Sequence, residues 1–124
     1  MDTPEFFIVD DDASVRKGIR RLLKSLKLSA RAFESAEDFL RQVSPGTVGC
    51  LILDVRLPGM TGLQLQEQLV HSNWHVPIIF VTAHDDDESR ETAMRQGAVA
   101  YLHKPFDREH FVESVNQAIS RTLV

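Results

Sequence analysis

The sequence contains one cysteine, Cys50, in 124 residues, so no disulfide can form within the chain. A chain without disulfides suits a reducing compartment, and we therefore predict a cytoplasmic protein. The N-terminal residues 1–5 lack the positive charge of a secretory signal peptide. No apolar run approaches the ~20 residues that a membrane-spanning helix needs, so we expect no membrane partner.

The chain has fewer basic than acidic residues, with 14 Lys and Arg and 18 Asp and Glu, so its net charge is −4. This balance argues against non-specific nucleic-acid binding, which favours a basic surface. Low-complexity tracts, linkers and internal repeats are missing as well. The length suits one domain, which we expect to extend over residues 1–124.

What the sequence does contain is an apolar run, residues 50–53, that ends directly in a single carboxylate, Asp54. Turn residues follow in the pair Pro58-Gly59 and in Gly62. An apolar run bounded in this way is typical of a strand buried on both faces. Asp54 is then expected at the carboxyl end of that strand, which is the edge of an open parallel sheet where ligands bind.

Apolar runs predict four further strands, at residues 6–9, 28–33, 77–81 and 99–102. After each of the five strands, apolar residues recur at helical spacing, which predicts five helices. The residues expected to cap or end these helices are Asp12 or Ser14, Ser35, Thr61, Gly97 and Asp107. Strict alternation predicts an α/β fold with right-handed crossovers, a mostly parallel sheet and helices on both faces.

The residues at the ends of the predicted strands are polar, and in a parallel sheet they share one edge. They are Asp10, Asp11, Asp54, Thr82 and Lys104. Three carboxylates in one cleft repel each other unless a cation is present, and a set of oxygen ligands favours Mg²⁺ (or Mn²⁺) over zinc. Each residue alone has a simple explanation as a turn, cap or strand end, and only the combination favours a metal site.

A carboxylate in such a site can itself act as a nucleophile and form an aspartyl phosphate. Asp54 is the best candidate because it stands alone at the end of a central buried strand, whereas Asp10 and Asp11 are better placed to hold the metal. Lys104 supplies a point charge for a phosphoryl oxygen, and Thr82 supplies a hydroxyl donor.

Other residues are better explained without a site. His71 and His75 have the spacing of helical zinc ligands, but no third ligand follows, so we interpret them as surface residues. The acids at 85–87 are expected to be a charged helix cap. Without further information Tyr101 would be a half-exposed strand aromatic, and Cys50 a small core residue.

Five short motifs follow one another along the chain. They are Val9-Asp10-Asp11, Asp54 with Leu57-Pro58-Gly59-Met60-Thr61-Gly62, Thr82-Ala83, Gly97-Ala98 and Lys104-Pro105-Phe106. In this order the chain resembles the receiver domain of two-component response regulators over residues 6–119. Details such as Val15-Arg16-Lys17 and Thr82-Ala83-His84 are similar to the FixJ-type subgroup, whose members usually carry a C-terminal helix-turn-helix (LuxR-type) output domain.

The resemblance implies a flavodoxin-like sheet of order 2-1-3-4-5. It implies that Asp54 accepts a phosphoryl group from a histidine of a sensor kinase. Mg²⁺ would be held directly by Asp11, Asp54 and the backbone carbonyl of Arg56, and through water by Asp10. Lys104 would pair with Asp54 before phosphorylation and with the phosphoryl group after it, and the Lys104–Pro105 peptide bond is expected to be cis.

The resemblance also implies a switch, in which Thr82 moves to bond a phosphoryl oxygen and Tyr101 turns into the space vacated. Arg56 and His84 are expected at the rim of the cleft, where we hypothesise that they tune access of the hydrolytic water. Phosphorylation is expected to promote homodimerisation through the fourth helix and fifth strand, about residues 88–102. Transcription would be controlled by an attached DNA-binding domain, and DNA would be contacted only by that domain.

Two other functions share parts of this pattern. A hydrolase of the haloacid-dehalogenase kind also uses an Asp nucleophile and Mg²⁺, but it carries a second acid two residues later, where this chain has Arg56. A receiver-like binding module that takes no phosphate usually lacks an acid or the lysine, and none is missing here. We therefore expect a signalling phosphoacceptor that catalyses only its own phosphorylation and dephosphorylation, and not an enzyme with a separate substrate.

Overall fold

The chain alternates five strands with five helices, as the sequence predicts. The structure is a computed structural model, and it describes residues 4–84 and 86–122. In chain order the elements are β1 (Glu5–Val9), α1 (Ala13–Ser25), β2 (Ala30–Phe33), α2 (Ala36–Gln42), β3 (Gly49–Leu53), α3 (Gly62–His71), β4 (Ile78–Thr82), α4 (Asp87–Arg95), β5 (Ala100–His103) and α5 (Arg108–Thr122). None of the described helices is long and apolar enough to cross a membrane.

The strands form a single parallel sheet of order β2-β1-β3-β4-β5, which confirms the predicted flavodoxin-like order. The chain leaves β1 toward one edge of the sheet and leaves β3 toward the other. The loops that follow these two strands therefore diverge, and a crevice opens between their carboxyl ends. Every residue of β3 is buried, as its apolar run predicts.

Alternate side chains of each strand contribute to two hydrophobic cores, one on each face of the sheet. Phe6 and Ile8 of β1 lie in the core that α1 and α5 cover, with residues such as Ile19 and Phe111. The intervening residues of β1 lie in the opposite core, which α2, α3 and α4 cover. Each helix buries one apolar stripe and leaves its polar face in solvent, so this arrangement needs no disulfide or metal to close the cores.

Polar side chains begin the helices. Asp12, and not Ser14, caps α1, because its carboxylate accepts the Ser14 N–H at 2.8 Å. Three further predicted caps are observed, with Ser35 at α2, Thr61 at α3 and Asp107 at the start of α5. Of the acids predicted to cap α4, Asp86 does so, and Asp85 lies outside the described residues.

The strand limits differ from the predicted ones by one or two residues. β2 begins at Ala30 and not at residue 28, because the chain turns after α1 with Lys27 in the left-handed region at a φ of 63°. β4 and β5 each reach one residue farther than predicted, since Thr82 and His103 pair with each other across the ladder. Gly97 follows the end of α4 with a φ of 101°, as its predicted place there requires.

Candidate functional site

Three carboxylates meet at the carboxyl edge of the sheet, in the crevice between β1 and β3. Asp10 and Asp11 follow β1, and Asp54 follows β3. One oxygen from each carboxylate lies within 4.8 Å of the other two. Asp10 and Asp54 are buried whereas Asp11 is exposed, so a ligand can approach the group from the side of Asp11.

Lys104 bridges the two buried carboxylates. Its Nζ donates to Asp10 Oδ2 at 2.9 Å and to Asp54 Oδ2 at 3.2 Å. The backbone N–H of Lys104 donates to the Thr82 carbonyl at 2.8 Å, which ties the end of β5 to β4. The peptide bond between Lys104 and Pro105 is cis. From the sequence we expected Lys104 to pair with Asp54, and the second bond, to Asp10, is found only in the structure.

Backbone donors hold the other oxygens of the two buried acids. Asp10 Oδ1 accepts the Asp12 N–H at 2.9 Å, and Asp54 Oδ1 accepts the Arg56 N–H at 3.1 Å. Arg16, in the first turns of α1, donates from its guanidinium to the Asp10 carbonyl oxygen at 2.7 Å. This contribution of Arg16 was not predicted from the sequence, and the only signal for it is its place one turn after Asp12, the helix cap.

Burial and charge act against each other in this cluster. Burial raises the pKa of Asp10, although the hydrogen bond from Lys104 opposes that shift. Burial lowers the pKa of Lys104, but the hydrogen bond to Asp10 and the charges of Asp54 and Asp10 outweigh it, so that the pKa lies above its ordinary value. With all groups ionised, three carboxylates and one ammonium leave a net charge of −2. The excess negative charge is what a divalent cation would neutralise.

The donor set fits a hard divalent cation. The cluster offers carboxylate oxygens alone, with no imidazole or thiolate, which favours Mg²⁺ or Mn²⁺ over zinc. Among the described residues, Asp10, Asp11 and Asp54 are the one group of three such side chains that could hold a metal ion.

The loop after Asp54 folds back against its own strand at Gly62. The Gly62 N–H donates to the Val55 carbonyl at 2.9 Å. A Cβ at position 62 would lie 2.0 Å from the Asp54 carbonyl oxygen, closer than any real contact. Only glycine therefore lets α3 begin this close to the carboxylate cluster.

Thr82 and Tyr101 lie on neighbouring strands beside the cluster. Thr82 is fully buried at the end of β4, and its Oγ1 accepts the His84 N–H at 3.2 Å. Tyr101 is buried and not half-exposed, so the expectation from the sequence was wrong at this position. Its ring lies 6.0 Å from that of Phe80, and the Arg90 guanidinium of α4 stands 4.9 Å from its centre. The reason is that α4 packs over β5, which a strand pattern alone does not reveal.

Arg56 and His84 are exposed on the loops that follow β3 and β4. The pKa of Asp86 is lowered, chiefly by a hydrogen bond from the Ser89 hydroxyl at 2.9 Å, and the charge of Arg56 adds to this effect. Arg56 is therefore close enough to the start of α4 to act electrostatically across the two loops.

Other residues considered from the sequence lie outside the cluster. His71 and His75 are both exposed, and neither belongs to a candidate metal group within the described part of the chain, which confirms their interpretation as surface residues. Cys50 is a buried core residue, and burial raises the pKa of its thiol to about 12.

The fold and the sequence of this chain both have counterparts among known proteins. A family model described as "Response regulator receiver domain" matches residues 6–116. This chain belongs to the response regulator receiver domain family. The receiver domain is 43% identical over 115 residues to nodulation protein W of Bradyrhizobium diazoefficiens, which is 93% of this chain and 51% of that protein.

Two further comparisons agree with this assignment. The receiver domain is 42% identical over 114 residues to the transcriptional regulatory protein TdiR of Thauera aromatica, covering 92% of this chain and 50% of TdiR. It superimposes on the solved structure of the response regulator StyR with a TM-score of 0.90 at 41% identity, covering 98% of this chain and 62% of that one. The chain thus spans about half the length of the curated relatives it matches.

Proposed function

We propose that this receiver domain is the phosphoacceptor of a two-component system, and that Asp54 takes a phosphoryl group from a phosphorylated histidine of a sensor kinase. The observation that supports this most directly is the cluster in which Asp10, Asp11 and Asp54 meet and Lys104 bridges two of them. The cluster combines a carboxylate nucleophile, a cation-binding acid group and a fixed positive charge, which phosphoryl transfer requires.

In the proposed step, an oxygen of Asp54 attacks the phosphorus in line. A P–O bond forms, the P–N bond to the kinase histidine breaks, and its electron pair returns to the imidazole nitrogen. The Asp54 carboxylate is already oriented by the Arg56 N–H and by Lys104 Nζ. Lys104 Nζ can exchange its hydrogen bond to Asp54 for one to a phosphoryl oxygen while it keeps its hydrogen bond to Asp10. Little reorganisation of the site is therefore needed.

Asp11 and Asp54, with the backbone carbonyl of Arg56, are proposed to hold Mg²⁺ (or Mn²⁺) directly, and Asp10 through water. The bound ion would supply positive charge to the phosphoryl oxygens. Asp11 is the exposed member of the group and Asp10 is held by Lys104 and a backbone N–H, which supports these different roles. The domain is proposed to catalyse only its own phosphorylation and dephosphorylation.

Thr82 and Tyr101 are proposed as the switch. The Thr82 hydroxyl would leave its present partner, the His84 N–H, and bond a phosphoryl oxygen. The Tyr101 ring is already buried against Phe80. In the proposed switch it would therefore shift within the packed site beneath α4, and would not turn inward from solvent. Such a local change can bias the position of α4.

Arg56 and His84 are proposed to flank the phosphoryl group and to tune access of the hydrolytic water, as their exposure on the loops after β3 and β4 allows. The measurement is the autodephosphorylation half-life of Arg56→Ala and His84→Ala beside wild type. Half-lives equal to that of wild type would contradict this part of the proposal.

The domain is further proposed to belong to a FixJ-type regulator with a C-terminal helix-turn-helix domain, and to dimerise through α4 and β5 on phosphorylation. Support comes from the FixJ-like motifs Val15-Arg16-Lys17 and Thr82-Ala83-His84. It also comes from relatives that are about twice as long as this chain, one of them described as a transcriptional regulatory protein. Sedimentation with and without beryllofluoride, a phosphoryl analogue, tests the dimer. A monomer in both conditions would contradict it.

The central test is incubation with Mg²⁺ and acetyl phosphate followed by intact-mass measurement. We expect a single phosphoryl adduct that is absent in Asp54→Asn and absent when EDTA removes the metal. Turnover of many phosphate esters would instead indicate a hydrolase. No adduct from either acetyl phosphate or a sensor kinase would indicate a binding module without phosphoacceptor activity.

A further inference from the structure

Half of the cations of this chain lie in one stretch that contains no acid. Residues 13–33 include seven of the 14 Lys and Arg residues and no Asp or Glu, although the net charge of the chain is −4. Five of these seven side chains are exposed on α1 and on the turn that follows it. These five, which we name the basic face, are Lys17, Arg20, Arg21, Lys24 and Lys27.

Helix geometry places the basic face on one side of α1. Positions 17, 20, 21 and 24 follow the i, i+3, i+4, i+7 spacing of a single helix face. Ile19 and Leu23, between them in sequence, lie on the opposite side in the core under α5. At about 1.5 Å per residue the cations extend over roughly 15 Å. Arg20, Lys24 and Lys27 also line a shallow concavity beside the start of β2.

The fold does not compensate this charge. Within residues 4–84 and 86–122, none of the five side chains forms an ion pair with an acid, whereas Arg16 and Arg31, the other cations of the stretch, face Glu34 and Glu5. The like charges at 17 and 21 and at 20 and 24 destabilise the helix by themselves. The helix dipole favours cations only in the last turn, so it does not account for the whole face.

We propose that the basic face binds the phosphate backbone of duplex DNA without sequence preference, in departure from the expectation that only an attached output domain contacts DNA. This inference rests on the proposed function as a transcription regulator, which would hold the receiver domain near DNA. A protein partner is a poorer match, because protein interfaces have an apolar centre and are depleted in Lys. The large apolar side chains exposed in the described chain, Val48, Val70 and Met94, all lie off this face. A surface dominated by Lys and Arg suits phosphates.

The net charge of −4 does not remove this attraction, because it is an average over the whole molecule. The carboxylate cluster lies at the start of α1, where Asp12 caps the helix. Arg21 is nine residues farther on, about 13 Å along the axis, which exceeds the screening length of about 8 Å at physiological salt. DNA that approaches the C-terminal half of α1 therefore meets mainly positive charge.

The test is fluorescence anisotropy of a labelled mixed-sequence duplex of about 20 base pairs with this chain. If four phosphates are neutralised, the affinity falls by about 10²-fold between about 50 and 200 mM salt. The variant Arg21→Gln/Lys24→Gln should lower the salt slope by about 2. The matched control is Arg41→Gln/Arg95→Gln, which removes the same charge from exposed sites on α2 and α4 and should leave the slope unchanged. Thermal unfolding verifies that both variants fold.

Three results would overturn the inference: no DNA binding at about 50 mM salt, equal loss in the two double variants, or binding of poly-glutamate as tight as binding of DNA. Binding is expected to persist in Asp54→Asn, because the basic face lies away from the phosphoacceptor. A chain that binds DNA through this face but takes no phosphoryl group would contradict the proposed phosphoacceptor function alone. A chain that is phosphorylated but binds no DNA would contradict this inference alone.

Discussion

Replacing Lys104 with methionine tests the electrostatics of the carboxylate cluster. Lys104 Nζ lies 2.9 Å from Asp10 Oδ2 and 3.2 Å from Asp54 Oδ2, and the side chains are 20%, 3% and 10% exposed, respectively. Methionine keeps the length and removes the charge, so two buried carboxylates are left without their counter-ion. Removing one partner of a buried pair costs about 3–5 kcal/mol. Since Lys104 is partly exposed and solvent screens its charge, we expect a loss at or below the lower limit of that range, about 2–3 kcal/mol at pH 7.

The assay is urea unfolding without divalent cations, beside the control Lys24→Met, which removes an exposed cation and should change stability by less than about 0.5 kcal/mol. Adding Mg²⁺ should reduce the deficit of Lys104→Met, because the ion supplies the missing positive charge. Acidification should reduce it as well. Burial already raises the pKa of Asp10, so a proton can replace the ammonium as the pH falls toward the folded-state pKa.

Alkaline pH should also remove the difference in stability between wild type and Lys104→Met. The pKa of Lys104 is raised in the folded state, so its stabilisation is fully present at neutral pH and is lost as the pH rises through that folded-state value. Wild type and Lys104→Met should therefore converge there. A variant as stable as wild type at pH 7 would refute the reasoning. So would a deficit that neither Mg²⁺ nor acid reduces, because charge would then not be its cause.

Three further outcomes are expected. In urea unfolding, Gly62→Ala should lower the free energy of unfolding by about 1–3 kcal/mol, because its Cβ would meet the Asp54 carbonyl oxygen. The control Gly18→Ala should raise the free energy of unfolding, because its Cβ meets nothing within 4 Å. A loss of stability in both variants would contradict this. Glu37 accepts the Met60 N–H at 2.8 Å, which is the main cause of its lowered pKa. Wild type should thus be more stable than Glu37→Gln above the unfolded-state pKa of about 4.3, and this difference should disappear as the pH falls through the lower folded-state pKa. A difference in stability that does not depend on pH would exclude the carboxylate as its source. The Cys50 thiol, with a pKa raised to about 12 by burial, should resist iodoacetamide at pH 8 until urea unfolds the chain, and rapid native alkylation would contradict that.

The layout of the fold could be predicted because burial on both faces leaves a plain trace in sequence. The run at 50–53 is apolar throughout, and β3 is buried at every residue. Caps such as Thr61 act on their own first turn, so a local pattern is enough to locate them. The limits of β2, β4 and β5 were less accurate, because hydrogen bonds to neighbouring strands decide where a strand ends.

The gathering of Asp10, Asp11, Asp54 and Lys104 could also be predicted, since parallel strands end at the same edge of a sheet. The burial of Tyr101 could not, because it depends on α4 lying across β5. The role of Arg16 on the Asp10 carbonyl likewise depends on where α1 passes β1. Composition gave the net charge of −4 but not its distribution over the surface, and so it did not reveal the cationic face on α1.

The sequence by itself determined the elements, their order along the chain and the chemical groups at each strand end, because each of these follows from residues close to one another in the chain. Only the tertiary structure decided the contacts that join distant segments. Lys104 reaches Asp10 across 94 positions of sequence, and that distance closes only when β1, β3, β4 and β5 lie side by side.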